Sequence, residues 1–286
     1  MNERVARVIL FASIEGGNAF WAKEISEFGA VGVLDRLHSR GYLAVNYEKL
    51  VERISKISAP SLLESIEKSG STFITPSDSS WPLALNDLEA PPIGLIVKGL
   101  ITVLESPSLA IVGTRNPTHY GARVAGEFAA GFVDRQWAIT SGGAYGIDAA
   151  AHRGALAAEG ATIAVLACGT SVNYPAAHER LFAEIAETGL LISEVMPGAH
   201  AIPARFLNRN RIIAALASAT LVVEAAFRSG SLRTARDAAQ LFRPVMAVPG
   251  PITSPTSDGC HRLIAERVAE LITSVADATE FIGGFK

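Results

Sequence analysis

Only two cysteines, Cys168 and Cys260, occur in 286 residues, too few and too far apart for a disulfide framework or a cysteine-based metal site. No apolar run reaches the roughly 18 to 20 residues that a membrane-crossing helix needs; the longest stretch, Ile212 to Phe227, carries Glu224 within it. The first residues, MNERVARVILFASIEGG, begin cationic but offer only a short apolar patch before Glu15, so a secretory signal is not expected. His119, His152, His178, His200 and His261 show neither metal-ligand spacing nor a nucleophile partner. No strong positive balance is present: the net charge is −3, whereas nucleic-acid-binding domains are often strongly basic. Together these absences predict a cytoplasmic chain with no metal site and no evident catalytic set.

What is present is a core. Hydrophobic residues make up 49% of the chain and charged ones 19%, which argues for a large buried interior and against disorder. Lysine is missing between Lys98 and Lys286, and seven arginines fall between Arg205 and Arg243. A planar guanidinium suits phosphate and base faces, although a GC-rich genome would give the same bias.

Residues 1–69 repeat apolar positions at helical spacing (Val5, Val8, Ile9; Phe28, Val31, Leu34), with turn signals at Gly16-Gly17, Gly29, Gly41 and Pro60. This predicts a small all-helical N-terminal domain. Residues 70–104 are richer in Pro, Ser and Asp and hold two short strand candidates, Thr72–Thr75 and Gly94–Lys98, as a connecting segment that leads into the next domain. From 105 to 286, short apolar runs alternate with helix-length segments: Leu109–Val112, Trp137–Thr140, Thr162–Ala167, Leu190–Ser193, Thr220–Val223 and Val245–Val248 as strands, with helices between. Strands apolar at nearly every position are those covered on both faces. The prediction is a Rossmann-like, doubly wound, mostly parallel α/β sheet, which binds ligands at the carboxyl ends of its strands.

Those ends carry the informative loops. Gly113-Thr114-Arg115 follows the first strand. Ser141-Gly142-Gly143-Ala-Tyr-Gly146 follows the second, where glycines let backbone amides approach an anion at a helix N-terminus; a plain chain reversal accounts for one such turn equally well. Asp148 reads as a brace for that loop. Asn173-Tyr174-Pro175 lies after the third strand, Glu194 after the fourth, and Glu224 closes the fifth before Arg228-Ser229-Gly230-Ser231-Leu-Arg-Thr234, a second anion nest. Arg209-Asn210-Arg211 precede an apolar helical pattern, where cations oppose the helix dipole and invite an external anion. None of these is a G-x-G-x-x-G or P-loop motif.

In order, AIVGTRNPTHYG, ITSGGAYGIDAAAHRGAL, TIAVLACGTSVNYPAAH, LLISEVMPG, FLNRNRIIAALA, LVVEAAFRSGSLRTARDA and VMAVPGPITSPTSDGCHRLI resemble the bacterial DNA-processing protein A (DprA/Smf) family. The resemblance covers about Leu109 to Ile264. It implies an extended Rossmann fold after a SAM- or helix-hairpin-helix-like start, non-catalytic binding of single-stranded DNA with little sequence preference and no cofactor, a homodimer, and loading of a RecA-type recombinase during natural transformation and DNA uptake. By the same resemblance the DNA-binding positions are Gly113, Thr114, Arg115, Ser141, Gly142, Gly143, Gly146, Asn173, Pro175, Arg209, Asn210, Arg211, Ser229, Gly230, Ser231 and Thr234. Arg115, Arg209, Arg211 and the glycine-loop amides are expected to meet phosphate. Tyr145 and Tyr174 are candidate stacking platforms at the loop tips. The terminal apolar pattern Leu263, Ile264, Val268, Leu271, Ile272 fits a dimer face. A winged-helix domain that many members carry at the C-terminus is expected to be absent. The competing expectation is a nucleotide-cleaving phosphoribohydrolase on a similar sheet edge, with Glu224 activating water.

Overall fold

The structure, a computed structural model, describes residues 1–39, 41–42 and 47–285. Four helices open it: α1 (Glu3–Ser13), α2 (Ala19–His38), α3 (Tyr47–Ser55) and α4 (Ala59–Lys68). Asn2, Asn18 and Ser58 cap α1, α2 and α4 by accepting from the amide three residues on, which satisfies an otherwise orphaned donor. α2 breaks at Gly29, where φ is 69°. Its second half is capped by another helix, because the Glu3 carboxylate accepts from the amide of Ala30 at 3.0 Å. Leu10, Trp21, Leu34 and Leu37 pack together with Phe73, Ile93 and Ile96 from the following segment. The helical start therefore shares its core with an edge of the sheet.

The sheet has nine strands: β1 (Thr72–Ile74), β2 (Leu95–Gly99), β3 (Ser108–Val112), β4 (Ala138–Ser141), β5 (Thr162–Leu166), β6 (Leu190–Ser193), β7 (Ala219–Val222), β8 (Val245–Ala247) and β9 (Glu270–Leu271), in the spatial order β1-β2-β6-β5-β4-β3-β7-β8-β9. Strands β3 to β9 pair in parallel, while β2 runs antiparallel to β6 and β1 antiparallel to β2. The parallel strands fall within a residue or two of their sequence expectations. The two-residue β9 was not anticipated.

Helices α5 (His119–Val133), α6 (Ile147–Ala157), α7 (Glu179–Thr188), α8 (Pro203–Leu216), α9 (Ser231–Gln240), α10 (Asp258–Ala265) and α11 (Val275–Gly283) complete the α/β part. Alternation in β3 shows why Leu109 to Val112 are all apolar. Leu109 and Ile111 join the cluster of α5, α6 and α11 residues on one face, and Ala110 and Val112 join Ile212 of α8 and Leu232 of α9 on the other. Successive strand side chains point to opposite faces, so a sheet with helices on both sides needs both sets apolar.

Two expectations are corrected. The Arg209-Asn210-Arg211 stretch does not precede its helix but lies inside α8. The terminal apolar pattern is spent within the chain: Leu263 is 0% and Ile272 2% exposed, and Ile264 and Val268 pack against the same core, leaving Leu271 outward. No helix among the described residues is long and apolar enough to cross a membrane.

Candidate nucleic-acid interface

From β3 the chain winds outward through β4, β5 and β6, then returns to place β7 on the other side of β3. The loops after β3 and β7 consequently diverge and leave a crevice at the carboxyl ends of the strands. A cleft of about 710 Å³ opens there, lined by Gly113, Thr114 and Arg115 after β3, by Phe206, Arg209 and Asn210 of α8, and by Arg228, Ser229, Gly230, Ser231 and Thr234 around the start of α9. A smaller hollow of about 40 Å³, lined by Gly142, Ala144, Tyr145, Pro175 and the shared residues Arg115, Tyr174 and Phe206, continues it.

Arg115 and Arg228 are the exposed cations of the cleft, and the Arg115 guanidinium carbon lies 5.2 Å from the centre of the Phe206 ring. Tyr174 packs edge-on to the same ring at 5.5 Å. Tyr145 packs edge-on to His178 at 4.8 Å, and the His178 ring, buried, donates from Nδ1 to the carbonyl of Gly143 at 3.0 Å. Both tyrosines are 48% exposed, so each keeps an accessible face beside Arg115.

Below the surface the loop after β4 is braced as expected. Asp148 Oδ2 accepts from the amides of Gly142 at 3.1 Å and Ala144 at 3.4 Å. Arg209 runs under Gly142 so closely that any side chain on that glycine would enter its guanidinium. Gly146, the residue before α6, has φ of 83°, a region that costs a non-glycine residue strain. Arg209 is 7% exposed, donates from Nη1 to the carbonyl of Val165, and has no partner at Nε. Burial pushes Arg209 down in pKa and Asp148 up, while the opposite charge of each resists the shift of the other. Arg209 is thus the floor of the cleft, not a mobile hook.

The start of α9 has no side-chain cap. Ser229 and Ser231 hydroxyls share a hydrogen bond of 2.8 Å, Asn210 Nδ2 reaches the Gly230 carbonyl at 3.3 Å, and the space around Gly230 is open. The first amides of α9 bond locally, Ser231 to the Ser229 hydroxyl at 3.4 Å, Leu232 to the Ser229 carbonyl at 3.2 Å and Arg233 to the Gly230 carbonyl at 3.1 Å, so what this end offers an anion is the helix dipole and the serine hydroxyls.

Several expected positions do other work. Ser141 is buried and donates to the Ile111 carbonyl at 2.6 Å; Gly143 and Gly146 shape the loop without lining the cleft, and Asn173 is exposed beside it. Arg211 is the plainest correction. Its Nη2 lies 2.5 and 2.6 Å from the two Glu194 oxygens, its Nη1 donates to the Ala90 carbonyl at 2.8 Å, and its side chain is 13% exposed. A guanidinium committed to a buried carboxylate is not offered to phosphate. Glu224 is likewise committed, accepting from the Thr118 amide at 2.8 Å, the Thr118 hydroxyl at 2.7 Å and Thr256 at 3.2 Å. It caps the approach to α5 and does not face the cleft, which removes the water-activating group that the hydrolase expectation needed.

Phe206 and Arg228 were not singled out in the sequence. Helical spacing would have found the first, since Phe206, Arg209 and Asn210 stand at i, i+3 and i+4 and share a face. Among the described residues no cluster of His, Cys, Asp and Glu is placed to hold a metal ion.

Comparison with known proteins bears on the fold and the family. The family model for DNA recombination-mediator protein A matches residues 72–283. A Mycobacterium tuberculosis relative is 45% identical over 234 residues, 77% of this chain and 60% of the relative, so this chain spans about three fifths of that protein's length. The DNA processing protein DprA of Streptococcus pneumoniae is 40% identical over 79% of both chains. Its crystal structure superposes with a TM-score of 0.86 at 32% identity, covering 98% of each chain. DNA processing protein A of Helicobacter pylori, whose structure is described for its single-stranded DNA binding mode, matches with a TM-score of 0.67 at 31% identity over 76% of this chain and 97% of that one. With the motifs in order, the family model over most of the chain and one fold shared end to end with a relative, the chain belongs to the DNA recombination-mediator protein A family.

Proposed function

We propose that this chain binds single-stranded DNA along the switch-point cleft with little sequence preference, and that as a homodimer it loads a RecA-type recombinase onto the strand during natural transformation. The carrying observation is the pairing of Arg115 with the Phe206 ring at the mouth of a cleft whose far wall is the uncapped start of α9. A single strand needs cations and hydrogen-bond donors for its backbone and flat faces for its bases, and both kinds of group meet here. The single-stranded DNA binding of the Helicobacter pylori relative supports the same reading. Recombinase loading and dimerisation rest on the family resemblance. Little sequence preference fits this set of groups, since guanidinium, hydroxyl and aromatic surfaces can meet the backbone and the flat face of any nucleotide.

The test is a binding titration of labelled oligo-dT across a salt series, with duplex as competitor. Single-strand preference, affinity that falls with salt and a clear loss in Arg115→Ala support the proposal. Release of free base from adenosine monophosphate by the purified protein would overturn it in favour of a hydrolase.

A further inference from the structure

Helix α8 carries two stripes. Phe206, Arg209 and Asn210 face the cleft, while Arg205, Asn208 and Arg211, three residues apart, turn to the other side and meet the turn between α1 and α2. Arg205 holds Glu15 through Nε at 3.0 Å and Nη2 at 2.5 Å. Asn208 Nδ2 donates to the Gly16 carbonyl at 2.9 Å. Gly16 lies against the Glu194 carboxylate with no room for a β-carbon, and Gly17 stands beside the Arg211 Nε. That carboxylate is the same one that clasps Arg211.

This seat matters because α8 does little to fix its own beginning. Pro203, in its first turn, has no amide to donate, the Arg205 amide bonds the Ile202 carbonyl at 3.0 Å, and no side chain caps the turn. What fixes the turn instead is Arg205, reaching back to the His200 carbonyl at 2.7 Å and across to Glu15. Phe206, the base platform, is the next residue.

We infer that the α1–α2 turn, through Glu15 and Gly16, is a positioning element for the DNA-binding face of α8: it sets the placement of Phe206 and Arg209 without touching the strand. The inference rests on the single-stranded DNA reading of the cleft. Positioning of this kind is distinguishable from direct charge attraction, because the two predict opposite signs for one substitution. Glu15→Lys replaces an anion by a cation near a polyanion's path, which raises affinity if only the local field matters. If the seat matters, the new cation repels Arg205, frees the first turn of α8 and lowers affinity.

The experiment uses the full chain and oligo-dT. Glu15 is 55% exposed on its side chain, so its substitution leaves the fold intact, checked by urea unfolding. The expected result is affinity lower by about 3- to 10-fold in Glu15→Lys, the scale of losing one exposed ion pair and gaining a repulsion. The salt slope stays as in the wild type, because no phosphate contact is lost. The charge-swapped Glu15→Lys, Arg205→Glu double variant recovers part of the affinity, because it restores the ion pair but not the bond from Arg205 to the His200 carbonyl. Amide hydrogen exchange over 203–216 is faster in the single variant and slower again in the double one. Unchanged or tighter binding by Glu15→Lys, or failure of the swap to recover any of the loss, overturns the inference. If the wild type itself does not bind oligo-dT, the functional reading falls, and the exchange arm still decides the seat: unaltered protection of α8 in Glu15→Lys refutes it.

Discussion

Acidification should destabilise this chain through His152, and the structure gives the size of the effect. His152 lies in α6 with 0% exposure. Its Nδ1 is 2.7 Å from the Thr162 hydroxyl, which itself donates to the Ile139 carbonyl at 2.6 Å. That hydroxyl's only proton is spent, so the imidazole must donate from Nδ1, leaving Nε2 bare, buried and without a partner. Protonating Nε2 would place an unpaired cation in the core. Burial first, and the nearby charges of Arg209 and His178 second, hold the ring's pKa down at about 3, from an ordinary 6.5. Between these values the unfolded chain binds more protons than the folded one, so stability is complete above the ordinary value and falls as pH drops toward the folded one. For a single site with that shift the loss between pH 7 and pH 5 is about 2 kcal/mol, and about 4 to 5 kcal/mol over the whole window. His152→Asn keeps a donor for Thr162 but removes the titration. Its small cavity costs the same at every pH, so the difference between its urea-unfolding free energies and the wild type's isolates the histidine. The wild type should lose stability relative to His152→Asn by about 2 kcal/mol from pH 7 to pH 5. Parallel curves would refute the buried neutral imidazole.

Other substitutions separate the roles of the arginines and of the platform. Arg211→Ala leaves Glu194 buried without its partner and should lower unfolding free energy by about 3 to 5 kcal/mol with the salt slope of DNA binding unchanged, whereas Arg115→Ala should leave stability nearly untouched and reduce that slope by about 0.7. Phe206→Ala should weaken oligo-dT binding by about 1 to 3 kcal/mol, the scale of one stacked base, read by fluorescence anisotropy. Gly142→Ala drives a methyl group into the Arg209 guanidinium and should cost about 1 to 3 kcal/mol of stability in urea unfolding.

Much of the α/β part was readable because its signals are local. Runs such as Leu109–Val112 are apolar at every position only if both faces are covered, and that requirement points to a doubly wound sheet. The loops after those strands were readable for the same reason: glycines, hydroxyls and arginines at a strand end have few other uses. The C-terminal segment was misread because its apolar residues are consistent with either a core or an interface, and spacing does not distinguish the two. Leu263 and Ile272 went inward; Leu271, between them in β9, did not.

Sequence by itself determined the alternation of strands and helices, the position of the loops at the strand ends and membership of the family, because period, turn chemistry and ordered motifs are properties of neighbouring residues. Only the tertiary structure decided what each arginine is for. Arg209 and Arg211 stand two residues apart on one helix, yet one floors the cleft beneath Gly142 and the other is clasped by Glu194 against Gly16, residues far away along the chain. A charge takes its role from the partners that burial places around it, and those partners come together only when the chain folds.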